Sequence, residues 1–138
     1  YLGKATEIRE RWANYFCTGQ MLRPPYIKGN IPVLTTQHHW SKNAVTMPAV
    51  LASTWKDDSG CIAILVANIS EKPVSFEFGI DLSELKLNSS SIVFQQIYPT
   101  VKDFGFARGN SAGRKLTLAG LSIAVFELKE TGSADFLH

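Results

Sequence analysis

At 138 residues, 45% hydrophobic and 19% charged, the chain has the size and balance of one globular domain and is too short for a barrel enzyme of about 250 residues. Its formal net charge is +2, 14 Lys and Arg against 12 Asp and Glu, and the basic residues are scattered from Lys4 to Lys129 with no basic patch and no aromatic-rich RNA-binding motif among them. No apolar run reaches the roughly 20 residues that span a bilayer, so neither nucleic acid nor a membrane span is expected.

The chain opens on Tyr1 with no initiator Met and no signal-peptide pattern, which reads as a piece of a longer protein. Its first eighteen residues, YLGKATEIRERWANYFCT, place Ala5, Ile8, Trp12, Tyr15 and Phe16 at helical spacing. The charged residues fall mainly on the other side of the wheel, so an amphipathic helix is predicted over 1–19. Gly19 is placed to end it in the left-handed conformation, and Pro24 and Pro25 forbid its continuation.

Beyond the helix the period changes to strict alternation, and residues 20–130 are predicted to be all-β. In VSFEFGIDL, Val74, Phe76, Phe78, Ile80 and Leu82 fall on one face, and Ser75, Glu77, Gly79 and Asp81 on the other. That pattern puts one face in the core and one in water. Residues 50–55 and 61–67 are apolar on both faces: Ile62, Ile64 and Val66 on one, Cys61, Ala63, Leu65 and Ala67 on the other. Such strands are central and covered twice, so either the N-terminal helix or a neighbouring domain must lie on their second face.

Further strands are predicted at 31–40, 92–98, 115–118 and 122–129, the last two joined by Ala119 and Gly120 as a hairpin-length link. The glycine-rich segment 100–114 is predicted to be a long loop, and the tail 131–138 to be flexible. The predicted fold is mainly β: an antiparallel β-sandwich of about seven strands preceded by one N-terminal amphipathic helix.

Asp57 and Asp58, in the stretch WKDDSGC, raise the question of a catalytic carboxylate pair. KDDSG lies between two strands able to pair directly, and Asp, Ser and Gly are hairpin-loop residues. Adjacent turn residues diverge, whereas glycosidase carboxylates face each other about 5–9.5 Å apart, so a turn is the stronger reading. A small enzyme built on Asp57, Asp58 or His38 is the weakest. His38 and His39 would point to opposite faces of a strand, and no HxH or HxxxH spacing is present, so no metal site is assigned. Cys17 and Cys61 are predicted to be free, buried thiols. The sequons at Asn68 and Asn88 read as strand-end and turn residues. No phosphate-binding or dinucleotide-binding fingerprint occurs, so no cofactor is implied and no catalytic residue is assigned.

Three segments, ANYFCTGQMLRPP (13–25), PAVLASTWKDDSGCIAILVANIS (48–70) and LAGLSIAVFELK (118–129), form a set. Together they resemble the C-terminal β-sandwich of large bacterial glycoside-hydrolase-like proteins with an α-galactosidase-like (β/α) barrel ahead of it. The resemblance implies a noncatalytic accessory domain that supports the barrel of its parent chain, with the catalytic acids lying in that barrel. It also implies a periplasmic or secreted location, and a helix whose Ile8, Trp12, Tyr15 and Phe16 face the barrel. The alternative is an autonomous carbohydrate-binding module, with Trp40, Trp55 and Tyr98 as a platform on which glycan rings stack.

Overall fold

The computed structural model describes residues 2–37, 44–82, 92–106 and 111–130. Two helical segments, α1 (Leu2–Arg11) and α2 (Ala13–Phe16), come first. The strands are β1 (Gln20–Leu22), β2 (Tyr26–Lys28), β3 (Val33–Gln37), β4 (Ala44–Pro48), β5 (Val50–Lys56), β6 (Ile62–Asn68), β7 (Val74–Asp81), β8 (Ile92–Tyr98), β9 (Lys102–Phe106), β10 (Ser111–Leu118) and β11 (Ser122–Glu130). All described pairings are antiparallel: a six-stranded sheet in the order β1-β5-β6-β11-β8-β9, a three-stranded sheet β10-β7-β2, and the hairpin β3-β4.

Alternation along the strands decides which side chains share the main core. Val74, Phe76, Phe78 and Ile80 of the small sheet meet Ile62, Ile64 and Val66 of β6, and Ala124, Phe126 and Leu128 of β11. Phe78 and Phe126 touch across the layers with ring centroids 4.6 Å apart, and Phe94 adds a third ring 5.9 Å from Phe126. Burying each such side chain contributes about 1.5–3 kcal/mol, so a one-residue slip of β7 would expose the whole row and is strongly disfavoured.

The doubly apolar strand β6 is central, as its pattern predicts, and its second face is covered by the chain's own helices. Ile8 packs against Ala67, Ile97, Tyr98, Ile123 and Val125, with Trp12, Phe16 and Leu65 at the margin. The single predicted helix is interrupted at Trp12, whose backbone leaves helical geometry (φ −119°, ψ 49°). The Trp12 amide still donates to the Ile8 carbonyl, while the Trp12 carbonyl accepts from the amides of Tyr15 and Phe16. This bend lets both segments press onto one sheet face.

Several expectations are corrected. More strands are present than about seven: β1, β2, β4 and β9 were not anticipated. The segment 100–114 is not one long loop, because Phe104 of β9 is drawn onto Phe94 and Phe126, and β10 begins at Ser111. Ala119 and Gly120 do not close a hairpin: β10 pairs with β7 in the small sheet, while β11 lies between β6 and β8 in the large one. The link changes sheets, with Leu121 at φ 53°. At Gly19 the glycine is needed for close approach rather than for a left-handed backbone, since a Cβ there would collide with the Tyr15 and Lys56 carbonyl oxygens. Both cysteines are free, but Cys17 is exposed and Cys61 only half-buried.

Candidate functional site

The acids and aromatics singled out by the sequence gather largely where the helices meet the outer face of the six-stranded sheet. Asp57 opens the β5–β6 turn, which closes when the Asp57 amide donates to the Cys61 carbonyl (3.0 Å) and the Gly60 amide to the Asp57 carbonyl (3.1 Å). Gly60 takes φ 91°, a conformation that side chains rarely adopt. Asp57 Oδ1 accepts from the Ser59 amide (3.0 Å), the Ser59 hydroxyl (2.8 Å) and the Cys61 amide (2.9 Å), while Oδ2 accepts from Asn14 Nδ2 (3.1 Å). Burial works against the charge, but the hydrogen bonds from Ser59, Cys61 and Asn14 outweigh it and hold the carboxyl below its usual value. Asp57 thus organises its turn and tethers α2. Asp58, its neighbour, is exposed.

A second carboxylate, which the sequence did not single out, lies beneath α2. Glu127 is 7% exposed, on the outer face of β11 opposite Ala63 and Gln95. Its Oε2 accepts from the Tyr15 hydroxyl at 2.6 Å; its Oε1 accepts from Gln95 Nε2 at 3.2 Å and lies 3.4 Å from Lys129 Nζ. Burial, followed by the bond to Glu127 and that residue's charge, pushes the Tyr15 phenol well above its usual value, with Cys61 and Asp57 adding to the effect. The phenol therefore stays neutral and acts as a donor. Alternation alone would place Glu127 in water, but on a strand whose outer face is covered an acid needs buried partners.

Of the expected aromatic platform, the two described members, Trp55 and Tyr98, do not come together. Tyr98 is 9% exposed and meets Trp12 edge-on at 5.9 Å. Trp55 is half-buried, meets Phe16 edge-on at 5.6 Å, and donates from Nε1 to the Ser53 hydroxyl (2.8 Å). The two rings stand on β5 and β8, three strand spacings apart or about 14 Å. Trp40, with His38 and His39, lies outside the described residues. Ile8 and Tyr15, expected to face a neighbouring domain, are each 1% exposed and spent on the chain's own sheet; Trp12 and Phe16 are half-buried at its rim.

The Asn68 sequon is a structural corner. Asn68 is fully buried, its Nδ2 donating to the carbonyls of Lys72, Leu118 and Ala119, and its Oδ1 accepting from the Ser70 amide and hydroxyl. It fastens the end of β6 to the crossover between the sheets. The Asn88 sequon lies outside the described residues.

Chemically, each oxygen of Asp57 and of Glu127 accepts from a protein donor, so both carboxylates are engaged in holding the structure together. Among the described residues no three His, Cys, Asp or Glu side chains converge to hold a metal ion, and no helix is long and apolar enough to cross a membrane. A scan against protein-family models found no match, and searches of the curated proteins and of the solved structures found none.

Proposed function

We propose that the chain is a noncatalytic accessory β-sandwich of a carbohydrate-active glycoside hydrolase, supporting the catalytic barrel of its parent chain. The observation that carries this reading is the use of Asp57 and Glu127: each is consumed in holding the helices to the sheet. The family resemblance of segments 13–25, 48–70 and 118–129 supplies the rest. The helical cover belongs to the sandwich itself, so the contact with the barrel falls to apolar groups still open at its rim. Met21 is 60% exposed on edge strand β1, in register with Trp55, which Phe16 flanks. Buried apolar area between the two units, rather than chemistry, is the contribution.

The test is to express the encoded hydrolase with and without residues 1–138. Support by this unit predicts a lower melting midpoint for the barrel alone, and in the joined protein a Met21→Glu substitution that reproduces much of that loss. Equal midpoints with and without the unit would refute the reading.

A further inference from the structure

The triplet Asn68, Ile69, Ser70 is an acceptor pattern for N-linked sugar, a modification that ordinarily sits on a surface loop. Here it ends β6 at the corner that leads to β7, and its first member is 0% exposed. Asn68 stands in register between Val50 of β5 and Ser122 of β11, so a strand flanks it on each side. The next two residues are fixed as well: the Ile69 amide donates to the Ala49 carbonyl (2.9 Å), and the Ser70 carbonyl accepts from the Leu121 amide (2.8 Å). Space is short across the corner, where a Cβ on Gly120 would overlap the Glu71 carbonyl.

Both side chains that define the pattern are spent on this corner. Asn68 Nδ2 has two N–H bonds and directs them at three carbonyls, those of Lys72 (2.8 Å), Leu118 (3.0 Å) and Ala119 (3.2 Å). The Ser70 hydroxyl lies 2.7 Å from Asn68 Oδ1 and 3.0 Å from the Lys72 carbonyl. Glycosylation would form a bond from Nδ2 to the anomeric carbon of a lipid-linked oligosaccharide diphosphate. That carbon's bond to the diphosphate would break, the diphosphate leaving with the electron pair, and one Nδ2 proton would pass to a base of the transferase. The product nitrogen keeps a single N–H for three carbonyls, and its sugar would stand where Asn68 has no surface to leave by.

We infer that Asn68 is a modification site of the unfolded chain only, at which N-glycosylation and folding exclude one another. In an extended chain the Asn68 amide and the Ser70 hydroxyl are free to be recognised. Once the corner closes, the triplet is shut to a transferase; once sugar is attached, the corner cannot close. Where no such transferase acts, the triplet serves the corner alone. The inference is independent of the accessory role proposed above.

The experiment is translation of the 138-residue chain, behind a secretory leader, with eukaryotic microsomes that supply the transferase and the lipid-linked donor. Peptide mass assigns sugar to Asn68 or to Asn88, and limited proteolysis of the solubilised product reads folding. The expected result is sugar on Asn68 in a fraction of the chains, all of it in the protease-sensitive pool, even after enzymatic trimming to one sugar residue. An acceptor tripeptide that competes for the transferase should return those chains to the resistant pool. The purified, folded chain added to solubilised transferase and donor should stay unmodified at Asn68. No sugar on Asn68 of the nascent chain, sugar on Asn68 of the prefolded chain, or a protease-resistant form that carries it would overturn the inference.

Discussion

The Tyr15 hydroxyl donates to the Glu127 carboxylate at 2.6 Å across a separation of 112 residues, joining the first helical region to the last strand. This bond is the polar centre of an otherwise apolar contact between helices and sheet, and Gln95 and Lys129 complete the acid's partners.

Removing that hydroxyl leaves a buried carboxylate short of a donor. Tyr15→Phe is therefore expected to cost about 1–3 kcal/mol in urea unfolding. Glu127→Gln keeps an acceptor for Tyr15, and should cost less. The same pair sets an alkaline limit. The raised Tyr15 phenol holds its proton in the folded state at a pH where the unfolded chain, with a phenol near pH 10, has released it. Stability fully present below about pH 10 falls as pH rises further, at up to about 1.4 kcal/mol per pH unit, and Tyr15→Phe abolishes that slope.

Asp57 sets an acid limit of opposite sign. Its carboxyl lies below the usual value in the folded state, so its stabilisation is present above about pH 4 and lost as pH falls through the folded value. Asp57→Ala removes the acceptor of the Ser59, Cys61 and Asn14 donors and is expected to lower stability at neutral pH by about 1–3 kcal/mol. Denaturation curves at neutral and acid pH check both points: the difference between wild type and variant should shrink as the solution is acidified.

Asn68 is expected to be among the least replaceable polar residues. Asn68→Ala would strand the Lys72, Leu118 and Ala119 carbonyls at a buried corner, for a loss of about 2–4 kcal/mol. Asn68→Asp, which replaces the donor group with an acceptor facing those carbonyls, should be at least as damaging. Thermal melts of the two variants measure the order.

Gly120 is constrained by space. A Cβ at this position would overlap the Glu71 carbonyl, so Gly120→Ala should destabilise by about 1–3 kcal/mol. The same substitution at Gly3, where a Cβ meets nothing within 4 Å, should not destabilise the helix, since Ala favours a helix over Gly. Chemical denaturation of the two variants tests the contrast.

Periodicity revealed the large elements because burial acts on it directly. The one-sided pattern of Val74–Asp81 and the two-sided pattern of Ile62–Asn68 placed those strands, and the latter correctly demanded a cover. Pairing was less legible. Leu118 and Ser122 are close in sequence, yet they belong to different sheets, because which neighbour a strand finds is settled by packing across the whole core. The glycines around Phe104 suggested a loop, while the ring itself was recruited by Phe94 and Phe126. In the candidate site the Asp57 turn was readable, since its Ser59 and Cys61 donors lie within four residues, whereas the Asn14 tether, 43 residues away, was not. Glu127 was not, because its partner Tyr15 is distant in sequence. Trp55 and Tyr98 suggested a platform because composition does not disclose that Phe16 and Trp12 lie against them.

The most direct test of the proposed structural, noncatalytic role is the turnover of the proposed parent hydrolase, carrying Asp57→Asn together with Glu127→Gln, measured per folded molecule. The account predicts a lower melting midpoint with kcat on an aryl glycoside unchanged. A fall in kcat with the midpoint intact would contradict it.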